Sequence, residues 1–280
     1  MKLNSWFFRE EGNSILSTFK SILCLYLLLF HSTPSDFNLY GTGGAHTPVG
    51  FFHILPQLTS QGFLQVLSFV FQASLLLGTI GVLTGPSLLV AAVSGAYVLA
   101  NHYNYGTVGH GTTLIYTCLL VLALVPWSAW KRDYNGIHAR WPIAFLKCFI
   151  VASYFIAGLQ KLRFSGFEWA WSENLAIYMF QISSTLAGQI LLELPPVVLR
   201  SLALFALLVE LLSPLALLSR RSGYVFVFLW ASLHFGIQLT MGHHKGFLSQ
   251  IPCLLVFCEG LLLFAGKHAR LQWGRLVKVR

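Results

Sequence analysis

Long apolar runs separated by short polar stretches dominate this chain. Runs of spanning length, roughly 17–25 residues, can be placed at about 14–31, 62–83, 86–101, 109–126, 142–162, 196–218, 223–242 and 246–265. The pattern predicts an all-α polytopic membrane protein with about eight transmembrane helices. Pro86, Pro142 and Pro196 fall at or near predicted first helical turns, where a missing N–H costs little. Gly81 and Gly85 form a GxxxG pair at the end of the second run, a weak signal for close helix packing. The region 164–195 is too polar and too aromatic to span. Its Trp169, Trp171, Tyr178 and Phe180 predict a segment lying in the membrane interface, where amphipathic rings settle. With no internal repeat and no linker, residues 1–280 read as a single domain. The tail after Ala265 is too short and too basic to predict a C-terminal soluble domain.

Composition sharpens this picture. The chain is 56% hydrophobic and 10% charged, with a mean hydropathy of +0.69, whereas soluble domains carry roughly 25% charged residues. A net charge of +9 would suggest nucleic acid in a soluble protein. Here it is better explained by Lys and Arg collecting in cytoplasmic loops. Lys2 and Arg9, then Lys131, Arg132 and Arg140, then Arg220 and Arg221, and finally Lys267 to Arg280 fall on one side of an eight-span arrangement. On the other side the 32–61 and 101–108 loops have no Lys or Arg, and Lys161, Arg163 and Lys245 are the basic residues that fall there. That asymmetry predicts both termini in the cytoplasm, in a membrane expected to be a bacterial inner membrane. The bilayer is the expected partner, and nucleic acid is not. Cys24, Cys118, Cys148, Cys253 and Cys258 all sit in apolar runs, without spacing that suggests a metal site or a loop disulfide. Glu10 and Glu11 precede the first run with no obvious cleavage site, so that run reads as a retained helix.

Against this apolar background a few polar positions stand out. Lys161 ends the fifth run and His102 ends the third, on the same predicted outer side. Glu210 lies well inside the sixth run and His234 in the middle of the seventh, with His243 and His244 at its outer end. A helix-end lysine can simply snorkel to the headgroups; a desolvated one can act as a base. An intramembrane histidine serves equally as packing glue between helices. A buried carboxylate must be protonated, paired or beside water, and pairing of Glu210 with Arg220 or Arg221 competes with a catalytic role. Adjacent histidines on a helix do not face one another, so no metal is assigned. His46 and His53 receive no role. The glycines around 106–111 lack the strand–helix context of a nucleotide fingerprint, and no hydrolase triad is apparent.

Three stretches together resemble a known family. They are Tyr154-Phe-Ile-Ala-Gly-Leu-Gln-Lys161-Leu162, Asn101-His102-Tyr-Asn-Tyr-Gly106, and the run from Glu210 through Pro214 and Arg220-Arg221 to Leu233-His234. Their order and spacing over roughly 60–260 are similar to the horizontally transferred transmembrane (HTTM) domain, the membrane part of vitamin K-dependent gamma-carboxylases and their bacterial relatives. The resemblance implies Lys161 as the base that deprotonates a reduced quinone, assisted by His102. Oxygen then converts the quinol to an epoxide, with carbon dioxide added to a glutamate carbanion. Trp169, Glu210 and His234 are the residues expected to line the quinone site. The chain departs from the family at Gln160, where animal enzymes have a second lysine. It also has a longer stretch Arg163–Glu168, and Glu173-Asn174 where a glycine is usual. Without the family's soluble domain, a peptide or protein partner is expected in its place.

The leading expectation is therefore an HTTM-type membrane enzyme of the carboxylase or quinone-epoxidase kind, using a reduced quinone with oxygen and carbon dioxide. Two alternatives stand beside it. One is a non-catalytic quinone- or lipid-binding subunit, and the other is a proton-coupled transporter in which Glu210 and His234 form a relay.

Overall fold

The structure is a computed structural model that describes residues 6–8, 10–30, 61–103, 110–131, 134–182, 185–242 and 246–266. Within these stretches it leaves the side chains of 11, 61, 98–103, 110–112, 182 and 246–249 undescribed. The protein is mostly helical and rich in exposed apolar side chains, as a membrane-embedded chain requires, because lipid rewards apolar surface and hydrogen-bonded backbone. Among the described residues the strand pairing is a two-residue antiparallel bridge, β1 (Glu11–Gly12) with β2 (Asn135–Gly136). The chain divides into two compact units, residues 1–144 with 259–280 and residues 145–258.

The first unit holds α1 (Ser14–Phe30), α2 (Gln61–Ile80), α3 (Thr84–Tyr103) and α4 (His110–Ala123), with a helical stretch 259–266. The buried residues of α1 are Ile15, Leu16, Phe19, Lys20, Leu23, Cys24 and Leu27, the stripe that a 3.6-residue repeat produces. The α2–α3 turn is tight. Gly81 and Val82 both donate to the Leu77 carbonyl, at 2.9 and 3.0 Å, and Gly81 takes φ +81°, a conformation glycine adopts without penalty. Close to this turn, where Trp127 packs on Gly85, Asn13 donates to the carbonyls of Ala129 and Lys131, at 3.3 and 2.5 Å. Arg140 pairs with Glu259 at 2.8 Å and donates to the Trp6 carbonyl at 3.2 Å. The basic 127–141 region is thus tied to the start of α1 and to 259.

The second unit contains most of α5 (Ile137–Ser165), then the single turn α6 (Glu168–Trp171), α7 (Asn174–Ile182), α8 (Leu186–Glu193), α9 (Pro196–Leu211), α10 (Arg220–Met241) and α11 (Gly246–Leu254). Helix α10 starts with a reciprocal capping box, Ser219 with Ser222, and ends on Gly242 at φ +70°, both standard helix boundary devices. Thr185 caps α8 by accepting from Gly188 N at 3.0 Å and donates to the Thr240 carbonyl on α10 at 2.8 Å. Met179, Leu199 and Met241 form one buried cluster, and Ala170, Ala203 and Leu207 another.

The expectation of about eight spans is corrected. Among the described residues three helices are long and apolar enough to cross a membrane: Gly62–Ile80, Ile137–Ser165 and Arg220–Met241. A fourth exists if α8 and α9, bent by 115°, form one broken span or re-entrant loop. Ser14–Phe30 and Thr113–Ala123 are apolar but shorter. A hydropathy window counts apolar residues and does not register a break in hydrogen bonding. The 196–218 window runs past the end of α9 into a 3₁₀ turn, Ser213–Leu217, that contains Pro214. The 246–265 window crosses Pro252 inside α11, then a 3₁₀ turn at Leu255–Phe257 and a non-helical Cys258. Proline removes an amide donor and ends regular bonding in each case. The stretch 164–195, expected to lie in the membrane interface, holds the three short helices α6, α7 and α8 rather than one element.

Candidate functional site

Helix α5 carries Tyr154, Gly158 and Lys161 at spacings of four and three, which place them on one face. Each meets a group from another element of the same unit. The Lys161 ammonium donates to both oxygens of Glu210, at 2.5 and 2.6 Å. The side chains are 25% and 9% exposed, so the carboxylate is the more deeply held partner. The lysine also lies over the ring of Trp169, 4.4 Å from its centroid, a cation–π contact. One turn earlier, Gly158 lets α9 approach: a Cβ there would stand 3.0 Å from Glu210 Cβ and 3.1 Å from Leu211. At the start of this face, the Tyr154 hydroxyl is hydrogen-bonded to His234 Nε2 at 2.8 Å.

Local sequence explains how these partners arrive. Helix α5 stops at Ser165, and Gly166 follows at φ +59° with its N–H on the Leu162 carbonyl at 2.8 Å. The chain then folds back into α6, where Ala170 anchors against Ala203 and Leu207 of α9 and turns Trp169 onto Lys161. Gly166 and Phe167, between the two helices, form this reversal. Glu210 sits in the last turn of α9, where the helix dipole disfavours a carboxylate, and Lys161 compensates. The α9 end is fixed to α5 a second time by Ser213, which is fully buried and donates to the Val151 carbonyl at 3.1 Å.

His234 lies four residues after Trp230 on α10. Trp230 is fully buried and stacks on Tyr154 with ring centroids 4.6 Å apart and an 8° interplanar angle. Phe226 and Phe257 flank it at 5.5 Å. Among the described residues the Trp230 indole N–H has no partner. The result is an aromatic wall beside the Tyr154–His234 bond and on the same α5 face as the lysine–carboxylate pair.

Four residues singled out in the sequence, Lys161, Trp169, Glu210 and His234, thus fall in one unit and on or against one helix face. Glu210 takes Lys161 as its partner and not Arg220 or Arg221. His234 makes the cross-helix hydrogen bond expected of packing glue, with a tyrosine hydroxyl that can itself carry a proton. His102 falls on α3 of the first unit, with its side chain outside the described residues, as do all of His46, His53, His243, His244 and Lys245. Among the described residues no group of His, Cys, Asp and Glu could hold a metal ion. Tyr154, Gly158 and Trp230 were not singled out from the sequence. Their signal is spacing: 154, 158 and 161 share a face, and 230 lies one turn before 234. An apolar hollow of about 460 Å³ lies elsewhere, between α2 and α3 of the first unit, with Leu67, Val70, Leu89 and Val93 among its walls. Its polar edge is limited to Ser94 and Tyr97, so it offers no acid–base chemistry comparable to the α5 face. No family model, no curated protein and no solved structure matches this chain.

Proposed function

We propose that this chain is an HTTM-type integral membrane enzyme that oxidises a reduced quinone, with Lys161 as the base. The observation that carries the reading is the Lys161–Glu210 pair, held at 2.5 and 2.6 Å among apolar helices and under the Trp169 ring. In a low-dielectric site the cost of two buried charges is large, and a proton passed from Lys161 to Glu210 turns the pair into a neutral amine and a carboxylic acid. The amine of Lys161 then takes the hydroxyl proton of the quinol, and Glu210 holds the proton it received. Trp169, partly exposed and against the Lys161 ammonium, offers an aromatic face beside the base, which suits a flat aromatic ring. The bound quinol supplies the reducing power: with oxygen it ends as an epoxide, the second oxygen atom leaving as water. Coupling to carboxylation of a small or peptide substrate, and help from His102, belong to the same proposal by resemblance.

The experiment is turnover of a reduced naphthoquinone by the purified protein under oxygen, with epoxide followed by mass spectrometry. Wild type forms epoxide, and Lys161→Ala inserts and folds but forms none. Equal activity in the alanine variant, or no epoxide from the wild type, removes the lysine-base reading. A second reading is favoured by one observation: Tyr154–His234 and Lys161–Glu210 line the same face of α5, as a proton relay through a transporter would. It predicts pH-gradient-dependent uptake in vesicles that Glu210→Gln abolishes.

A further inference from the structure

The first unit contains a second buried lysine with a different environment. Lys20 lies in the buried stripe of α1 and is 4% exposed. Among the described residues its ammonium makes no hydrogen bond or ion pair. Its Nζ is 3.7 Å from the point where a Cβ on Gly81 would stand, and Thr84 Oγ1 is 4.0 Å from the same point. Ammonium and hydroxyl therefore face one spot, at the beginning of the 20-residue helix α3.

That spot has the electrostatics of an anion site. The first backbone bond of α3 runs from Ser87 N to the Leu83 carbonyl at 2.9 Å, and Pro86 has no N–H. The amides of Thr84 and Gly85 precede that bond, so they have no partner within the helix, and the positive end of the helix dipole adds to them. Ser87 turns its own hydroxyl back onto the Thr84 carbonyl at 3.0 Å, leaving the Thr84 hydroxyl as the side-chain donor at the mouth. The indole of Trp127 lies against Gly85, in the space a Cβ would need. Trp127 is itself 60% exposed, the placement of an aromatic residue at a membrane–water boundary. The Lys20 stem lies in the buried stripe and its ammonium at the edge of that burial; an apolar side chain of similar length would fill the stripe without the cost of a charge there, a cost that an anion beside the ammonium offsets.

We infer that the corner formed by Lys20, Gly81 and Thr84 binds a phosphate oxyanion. Lys20 supplies the charge, and the Thr84 hydroxyl and the first amides of α3 supply the hydrogen bonds. The absent Cβ at Gly81 leaves room for an oxyanion beside the ammonium. Phosphate of this kind comes either from an anionic lipid headgroup or from free phosphate. The site is independent of the quinone reading and stands or falls separately from it.

The test uses the full-length protein purified in a zwitterionic detergent and stripped of lipid. One arm measures Tm with inorganic phosphate against chloride at matched ionic strength. The other measures, by native mass spectrometry, retention of phosphatidylglycerol against phosphatidylcholine. A free-phosphate site raises the wild-type Tm by about 5 °C at phosphate well above its dissociation constant. A headgroup site instead retains phosphatidylglycerol selectively. Whichever response the wild type shows is lost in Lys20→Met and kept in Lys20→Arg. Thr84→Val weakens it, and carries the test if Lys20→Met does not fold. The inference is overturned if the wild type shows neither response, or if Lys20→Met and Thr84→Val respond as the wild type does.

Discussion

Two lysines, one partly exposed and one buried, divide the molecule's handling of charge between its two units. Lys161 is given everything a membrane-embedded cation can use: both oxygens of Glu210, the face of Trp169, and a quarter of its side chain left in contact with the surroundings. Lys20 is given none of these and is almost fully enclosed, at 4% exposure. The first arrangement is a closed circuit whose charges cancel, so its interest lies in moving protons within it. The second is an open one whose charge calls for something from outside. Burial alone does not reveal what a lysine does. The partners it has, or lacks, decide between a proton-transfer group and a ligand site.

The largest expected effect comes from opening the closed circuit. Lys161→Met strands Glu210 in a pocket where the residue is 7% exposed. Breaking a buried pair costs about 3–5 kcal/mol, and the low end applies here because Lys161 is itself partly exposed. Adding Glu210→Leu removes the stranded carboxylate and recovers most of that stability while leaving the protein inactive. Thermal unfolding of the two single variants and the double variant gives the coupling directly. A Lys161→Met protein as stable as wild type would mean that the pair does no structural work, and the contrast with Lys20 would shrink to one of geometry.

A smaller effect follows from crowding the same junction. Gly158→Ala puts a methyl 3.0 Å from Glu210 Cβ and 3.1 Å from Leu211, tight enough that α9 must give by a few tenths of an ångström. Overpacking of this kind costs about 1–3 kcal/mol, partly offset by about 1 kcal/mol of better helix propensity. The net loss expected is about 1 kcal/mol in thermal unfolding, with a larger fall in epoxide formation because the Lys161–Glu210 geometry moves with α9. Unchanged activity would show that the pair tolerates displacement, which a proton-transfer role would not.

How much of this was legible in the sequence depends on the range of the forces involved. The membrane-embedded helical class follows from composition, because lipid selects apolar surface at every position. The helix breaks behind the lower span count escaped a window sum, since Pro214 and Pro252 interrupt hydrogen bonding without lowering hydropathy. Lys161, Glu210 and His234 stood out because charge or imidazole in an apolar run needs a reason. Their pairing did not, because Lys161 and Glu210 are separated by 49 positions and joined only by the close approach at Gly158. Trp169 was noticed as an interfacial ring and is also the lid over Lys161, which required the reversal at Gly166. Lys20 is also a charge inside an apolar run, yet it was not singled out; its enclosure comes from tertiary packing.

Loosening the far end of the α5 face should cost less again. Tyr154→Phe keeps the stack on Trp230 and removes the hydrogen bond to His234, a loss of about 1 kcal/mol. His234→Ala in the same background should then cost less than it does alone, and the difference, read by thermal unfolding, measures the bond itself. If the two changes are additive, Tyr154 and His234 are neighbours without a working contact, and the relay reading loses its first link.

The smallest expected effect is the one that most sharpens the comparison. In detergent free of phosphate and anionic lipid, Lys20→Met exchanges a lysine on a buried stem for an apolar side chain of similar length. Replacing buried charge by a well-packed hydrophobe is neutral or stabilising, so the change should lie within about 0.5 kcal/mol of zero or raise Tm. The same Lys-to-Met replacement at 161 is expected to cost several times that, chiefly because it strands Glu210. A competing role for Lys20 is to neutralise the carbonyl end of α2, since Gly81 follows that helix directly. A charge held against a helix C-terminus is worth up to about 2 kcal/mol in a partly buried setting, so that role predicts a clear loss of stability with no anion present. A loss of that size would make Lys20 a helix cap, and both lysines would then be structural charges with protein partners. A neutral result leaves Lys20 as a charge the fold carries without using.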